Sequence, residues 1–222
     1  MDQHTTIPQS ASLTAPFAQG GLIIGITGGT GCGKTTLLNL IADHGGLILD
    51  CDAIYHELLI SDKEMLGSIN RRFPGVVENG VLNRKKLGTI VFADESALLD
   101  LNRITHTAVK EEVLRRLKTA PKLAAIDAIG LFEGGLAELC DVTVAITAPE
   151  EARIQRLMLR DNISEDYARS RIRAQHSEDW FRERCDHVLV NGSTLDAFAT
   201  ICLAFLDTLG IMKEKCTKEH EL

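Results

Sequence analysis

Short unbroken apolar runs alternate along this chain with longer segments in which apolar residues return every three or four positions. Leu22-Ile23-Ile24-Gly25-Ile26-Thr27, Leu47-Ile48-Leu49-Asp50, Leu123-Ala124-Ala125-Ile126-Asp127, Val142-Thr143-Val144-Ala145-Ile146 and His187-Val188-Leu189-Val190 read as strands. Runs that are apolar throughout, instead of at every second position, suit strands covered on both faces, as in a parallel sheet. Helical patterns occupy about 34–44, 52–60, 95–119, 149–160, 164–184 and 193–210. This alternation predicts a doubly wound α/β core. About 70 residues separate the second and third strands, far more than a crossover needs, so a helical insertion is expected at about 53–120.

Composition narrows the class. The chain has 222 residues, 45% of them hydrophobic and 25% charged, with a formal net charge of -7. That is ordinary globular composition and excludes a wholly disordered chain. The acidic balance argues against a nucleic-acid partner, because binding a phosphate backbone needs clustered Lys and Arg. Cys32, Cys51, Cys140, Cys185, Cys202 and Cys216 form no closely spaced pair, which disfavours zinc. They read as reduced thiols of a cytoplasmic protein. The opening residues lack the basic and apolar stretches of a signal peptide, and no apolar run is long enough for a membrane span. Residues 1–20 read as a flexible leader, 21–210 as the folded domain and 211–222 as a polar tail.

The strongest local signal is Gly28-Gly29-Thr30-Gly31-Cys32-Gly33-Lys34-Thr35, which matches GxxxxGK[ST] between a strand and a helix. Its glycines permit a tight turn that brings backbone N–H groups against phosphate oxygens. The following helix adds its positive N-terminus. Lys34 is placed to reach the β- and γ-phosphates, and the Thr35 hydroxyl is a candidate Mg²⁺ ligand.

Two carboxylates end the second strand. If the strand continues through Asp52, Asp50 and Asp52 share one face of it. One could then take the proton of an attacking hydroxyl. The competing reading makes Asp52 a cap for the helix that follows. Asp127 ends another strand, where it serves either as an outer residue of a Mg²⁺ site or as the cap of the next turn. Glu133 either orients an acceptor or is an ordinary exposed acid.

Residues 153–184 hold eight of the chain's 24 cationic residues. Arg153, Arg156 and Arg160 stand at i, i+3 and i+7 and so share a helical face. Ser164 is placed to cap the next helix. Two arginine-bearing helices would make a lid over a transferring phosphoryl group. They could equally be a solvated, salt-bridged helix pair.

Together these segments resemble the dephospho-CoA kinase family from about Leu22 to Ser193. Thr27-Gly28-Gly29-Thr30-Gly31-Cys32-Gly33-Lys34-Thr35 is similar to its phosphate loop, and Asp50-Cys51-Asp52 resembles its DAD segment. The segments from Asn79 to Leu87, Val91-Phe92, Leu101-Asn102-Arg103-Ile104-Thr105-His106, Leu131-Phe132-Glu133, Gln175 and Asn191-Gly192-Ser193 match further family elements in order. Thr107 and Gly130 stand where the family has prolines.

The resemblance implies a P-loop kinase-like three-layer fold with a five-stranded parallel sheet, an acceptor-binding helical insertion and a lid at about 153–184. It implies ATP-dependent phosphorylation of the ribose 3′-hydroxyl of dephospho-CoA, with Mg²⁺. Asp52, Lys34 and Arg160 would be catalytic. Gly29, Thr30, Gly31, Cys32, Gly33, Lys34, Thr35 and Thr36 would bind ATP, with Thr35 on the metal. Thr27, Asp52, Arg84, Asn102, His106 and Glu133 would bind the acceptor. A monomer or weak homo-oligomer is expected. The rival readings are a kinase of a nucleoside or nucleoside monophosphate, and a nucleotide-dependent switch. The absent NKxD and the paired aspartates count against the switch.

Overall fold

The computed structural model describes residues 21–211. The leader expected at 1–20 and the tail from 212 onward lie outside the described residues. Along the chain run β1 (Leu22–Thr27), α1 (Lys34–Asp43), β2 (Leu47–Asp50), α2 (Cys51–Ser61), α3 (Lys63–Arg72), β3 (Val77–Glu78), β4 (Val81–Leu82), α4 (Arg84–Val91) and α5 (Glu95–Leu117). There follow β5 (Leu123–Asp127), a 3-10 turn (Ala137–Leu139), β6 (Val142–Thr147), α6 (Glu150–Asp161), α7 (Glu165–Arg173), α8 (Glu178–Arg184), β7 (His187–Val190) and α9 (Leu195–Thr208). Among the described residues no helix is long and apolar enough to cross a membrane.

Five strands form a parallel sheet in the order β2-β5-β1-β6-β7. The apolar runs divide between its two faces by simple alternation. Ile23, Ala124 and Ile126 join α2, α3 and α5 in one core. Ile24, Ile26, Ala125, Val144 and Ile146 pack with α1 and α9 in the other, around Phe198 and Phe205. This is the three-layer arrangement the continuous apolar strands require.

The stretch between β2 and β5 is richer than the sequence patterns suggested. Asp62 caps α3 by accepting from Glu64 N and Met65 N, each at 2.9 Å. Asn79 and Gly80, with φ of 52° and 78°, make the tight turn of a β3–β4 hairpin. The expected helix over 164–184 is two helices. Ser164 caps α7, as expected, but Ser177 starts a new helix by accepting from Trp180 N. Helices α6 and α7 carry a small core of their own, built from Ile154, Leu157, Ala168 and Ile172.

At the amino ends of the strands, two carboxylates clamp the sheet. Asp141 Oδ2 accepts from Ile23 N at 2.7 Å, and Asp186 Oδ2 accepts from Thr143 N at 2.8 Å and Thr143 Oγ1 at 2.7 Å. Thr143 is buried, so its N–H and hydroxyl both lose their partner when the carboxylate is removed. Asp186→Ala should lower unfolding free energy by about 1–3 kcal/mol in urea titration, the cost of an orphaned buried donor.

Candidate active site

The turn from Gly28 to Gly33 joins β1 to α1 at the carboxyl end of the sheet. Three of its glycines sit at positive φ, Gly31 at 78° among them. Gly28 has φ of 130°, and a Cβ there would lie 2.1 Å from Ile146 O. Gly33, with φ of 92°, precedes α1 without capping it, and no other side chain does so. The first turn of α1 is therefore left open to an anion.

Side chains from distant elements hold the turn in shape. Lys34 Nζ donates to Gly28 O at 3.2 Å. Arg153 Nε donates to Thr30 O at 2.9 Å, and Arg156 Nη1 to Gly31 O at 3.1 Å. Asn191, just past β7, donates from Nδ2 to Cys32 O at 2.9 Å and accepts from Arg156 Nη2 at 3.2 Å. Gln175 Oε1 accepts from Thr30 N and from Arg153 Nη2, both at 2.9 Å. Arg153 and Arg156 are thus spent on the loop's own carbonyls.

A cavity of about 680 Å³ opens above this turn. Gly29, Thr30, Gly31, Gly33, Lys34 and Thr35 line one side of it, and Arg156, Leu159, Arg160 and Arg171 line the lid side. Asp161 holds Arg160 through two contacts of 2.7 and 3.0 Å and Arg171 through one of 2.6 Å. Those bonds, Arg160's first, pull the Asp161 carboxyl down to about 2. A second cavity of about 250 Å³ lies against α2 and α5, with Tyr55, Asn102, Thr105 and His106 as its polar wall and Leu101, Val109 and Leu136 as its apolar one. Asp52 and Ile129 line both cavities.

The carboxylates are not arranged as the extended-strand reading expected. β2 stops at Asp50, and α2 begins at once. Asp50, not Asp52, is the cap, accepting from Ala53 N at 3.0 Å. Asp52 sits in the first helical turn and is exposed to both cavities.

A family model for dephospho-CoA kinase matches residues 22–197. The dephospho-CoA kinase of Syntrophotalea carbinolica is 36% identical over 181 residues, covering 79% of this chain and 86% of that protein. That of Bacillus licheniformis is 33% identical over 193 residues, covering 84% and 96%. The crystal structure of TT1252 from Thermus thermophilus superposes with a TM-score of 0.70 at 34% identity, covering 86% of this chain and 99% of that one. The chain belongs to the dephospho-CoA kinase family.

Within this kinase, Asn102 and His106 stand one turn apart on α5 and face the smaller cavity, as Asp52 does. Tyr55, one turn beyond Asp52 on α2, joins them; the i, i+3 spacing was the signal for it. Thr27 is fully buried and donates from Oγ1 to Ile129 O at 3.2 Å, so it braces the wall the two cavities share. Arg84 is exposed, with Nη2 3.5 Å from His56 Nδ1. Glu133 pairs with His176. Thr36 lies on α1, among neither cavity's lining residues. Cys32 is buried within the turn, and burial pushes its thiol up against the opposing pull of Arg153 and Lys34. Arg171 falls within the expected lid, but its place at the cavity wall beside Arg160, on the shared Asp161, is supplied by the fold.

Asp127 ends β5 beside Asp50 on β2, within 3.9 Å of Lys34 Nζ. Burial pushes its carboxyl up to about 6; Lys34 opposes this, and Asp50 and Asp52 add to it. Its Oδ1 is buried without a hydrogen-bond partner. The folded state therefore holds the proton more tightly than the unfolded chain. Stability is full below the unfolded value of 3.8 and declines as pH rises through about 6. Asp127→Asn should stabilise the ligand-free protein at pH 7.5 by roughly 2 kcal/mol, with the advantage shrinking toward pH 4, in urea titrations at each pH.

Proposed function

We propose that this kinase transfers the γ-phosphoryl group of ATP to the ribose 3′-hydroxyl of dephospho-CoA, giving coenzyme A and ADP. The observation that carries the reading is the position of Asp52, the one carboxylate that lines both the phosphate-loop cavity and the cavity between α2 and α5. ATP would lie with its β- and γ-phosphates on the Gly28–Gly33 turn and the first residues of α1. The acceptor sugar would lie between Asp52 and the Asn102–His106 face of α5, with Arg84 at the outer edge of that side. The hydroxyl oxygen attacks phosphorus in line, its proton passes to Asp52, and the bond to the ADP oxygen breaks. Lys34, Arg160 and Arg171 neutralise charge on the equatorial oxygens.

The residues fit a Mg²⁺ ion. Thr35 is exposed at the phosphate cavity, and Asp127, whose buried Oδ1 has no hydrogen-bond partner, lines the same cavity with hard carboxylate oxygens. When bound, the ion would draw charge from the β- and γ-oxygens. Thr35 would hold it directly, with Asp127 as its further acceptor. The five free cysteines among the described residues support a reducing, cytoplasmic setting.

Asp52→Asn should lower kcat by about 10²–10⁴ while leaving ATP affinity nearly unchanged, measured by coupled ADP release. An unaltered rate would remove Asp52 from the chemistry. Lys34→Ala should weaken ATP binding and slow transfer together, and by more than Arg173→Ala, an exposed lid position. The same assay should show turnover with dephospho-CoA and none with nucleosides or nucleoside monophosphates.

A further inference from the structure

The loop after β5 reaches the lid through a side-chain pair that the transfer chemistry leaves unused. Glu133 lies three residues past Gly130, which together with Ile129 walls the acceptor-side cavity. His176 Nε2 donates to Glu133 Oε1 at 2.5 Å. The His176 ring stacks on Trp180, with centroids 3.8 Å apart and planes 4° from parallel. Phe132 meets Trp180 edge-on at 5.5 Å, and the Arg184 guanidinium lies 4.4 Å from the indole centroid. An aromatic group and a carboxylate from one loop therefore grip two side chains of the lid segment.

What they grip is the break between α7 and α8. Residues there lack a continuous helical ladder, so side chains must fix their position. Gln175 stands in this break, next to His176. It is the residue whose Oε1 accepts from Thr30 N in the phosphate loop and from Arg153 Nη2. A covalent neighbour thus links the clasp to the nucleotide cradle.

We infer that Glu133 and His176 are positioning residues: their bond seats Gln175 on Thr30, so that the wall of the acceptor cavity and the phosphate loop are fixed to one another. Glu133 acts through His176 and not on the acceptor. The inference rests on the phosphate loop holding ATP, as the proposed function has it, and is independent of which acceptor is used.

The test is the affinity of full-length protein for a non-hydrolysable ATP analogue with Mg²⁺, measured by calorimetry. Glu133→Ala and His176→Phe, the latter keeping a ring on Trp180, should each weaken binding about fivefold, the scale of one net hydrogen bond. Neither should weaken it further in a Gln175→Ala background, since groups acting through one another are not additive. Glu133→Gln, which keeps an acceptor oxygen, should stay within about twofold of wild type. Unchanged affinity in the single variants, or the same loss with and without Gln175, would overturn the inference. Lack of wild-type turnover with dephospho-CoA would instead sink the acceptor assignment and leave this comparison readable.

Discussion

A tight turn that offers N–H groups to phosphate leaves its carbonyls to be satisfied elsewhere, and the rest of this structure is arranged around that need. The carbonyls of Gly28, Thr30, Gly31 and Cys32 each accept from a side chain: Lys34, Arg153, Arg156 and Asn191 respectively. Three of those donors come from residues more than 100 positions away in sequence. Lid helix, last strand and phosphate loop are therefore one hydrogen-bonded unit. The consequence is a division of labour among the arginines. Two hold the turn, while Arg160 and Arg171 wait on the shared Asp161 carboxylate at the cavity wall.

The same economy governs the acidic side. The break from β2 into α2 lets Asp50 close the helix and turns Asp52, two residues on, toward both cavities. Asp127 lies across from Asp50 in the parallel register, so three carboxylates converge at the ends of adjacent strands. Their mutual repulsion and the burial of Asp127 are destabilising on their own. Sites that bind cations and phosphates commonly retain such strain, because the ligand relieves it.

The core strands were legible because apolar residues follow one another without a polar alternation, which two-sided burial explains; Leu22–Thr27 and Val142–Thr147, buried along nearly their whole length, illustrate this. The phosphate turn was legible because its chemistry is local. The hairpin also carried a local sign, Asn79-Gly80 with both residues at positive φ, but its strands are two residues each and leave no periodic trace. The division of α7 from α8 was hidden for a different reason. Residues 175–179 are all polar, which one long helix could carry on its solvent face, and only Ser177-Glu178-Asp179 marks a new start. The roles of Arg153, Arg156 and Arg160 were not legible at all, because one shared helical face says nothing about which guanidinium meets a backbone carbonyl. Thr27 was read from family position and Glu133 as an acceptor-orienting or merely exposed acid; their partners, Ile129 O and His176, are supplied by the fold.

Trp180 is the chain's only tryptophan, and it stands beside the joint that carries Gln175. Emission excited at the red edge of the aromatic band, where the two tyrosines do not absorb, therefore originates at a single indole, packed against an imidazole and a guanidinium. The molecule carries its own optical label at the hinge of its lid, with no dye or engineered fluorophore required.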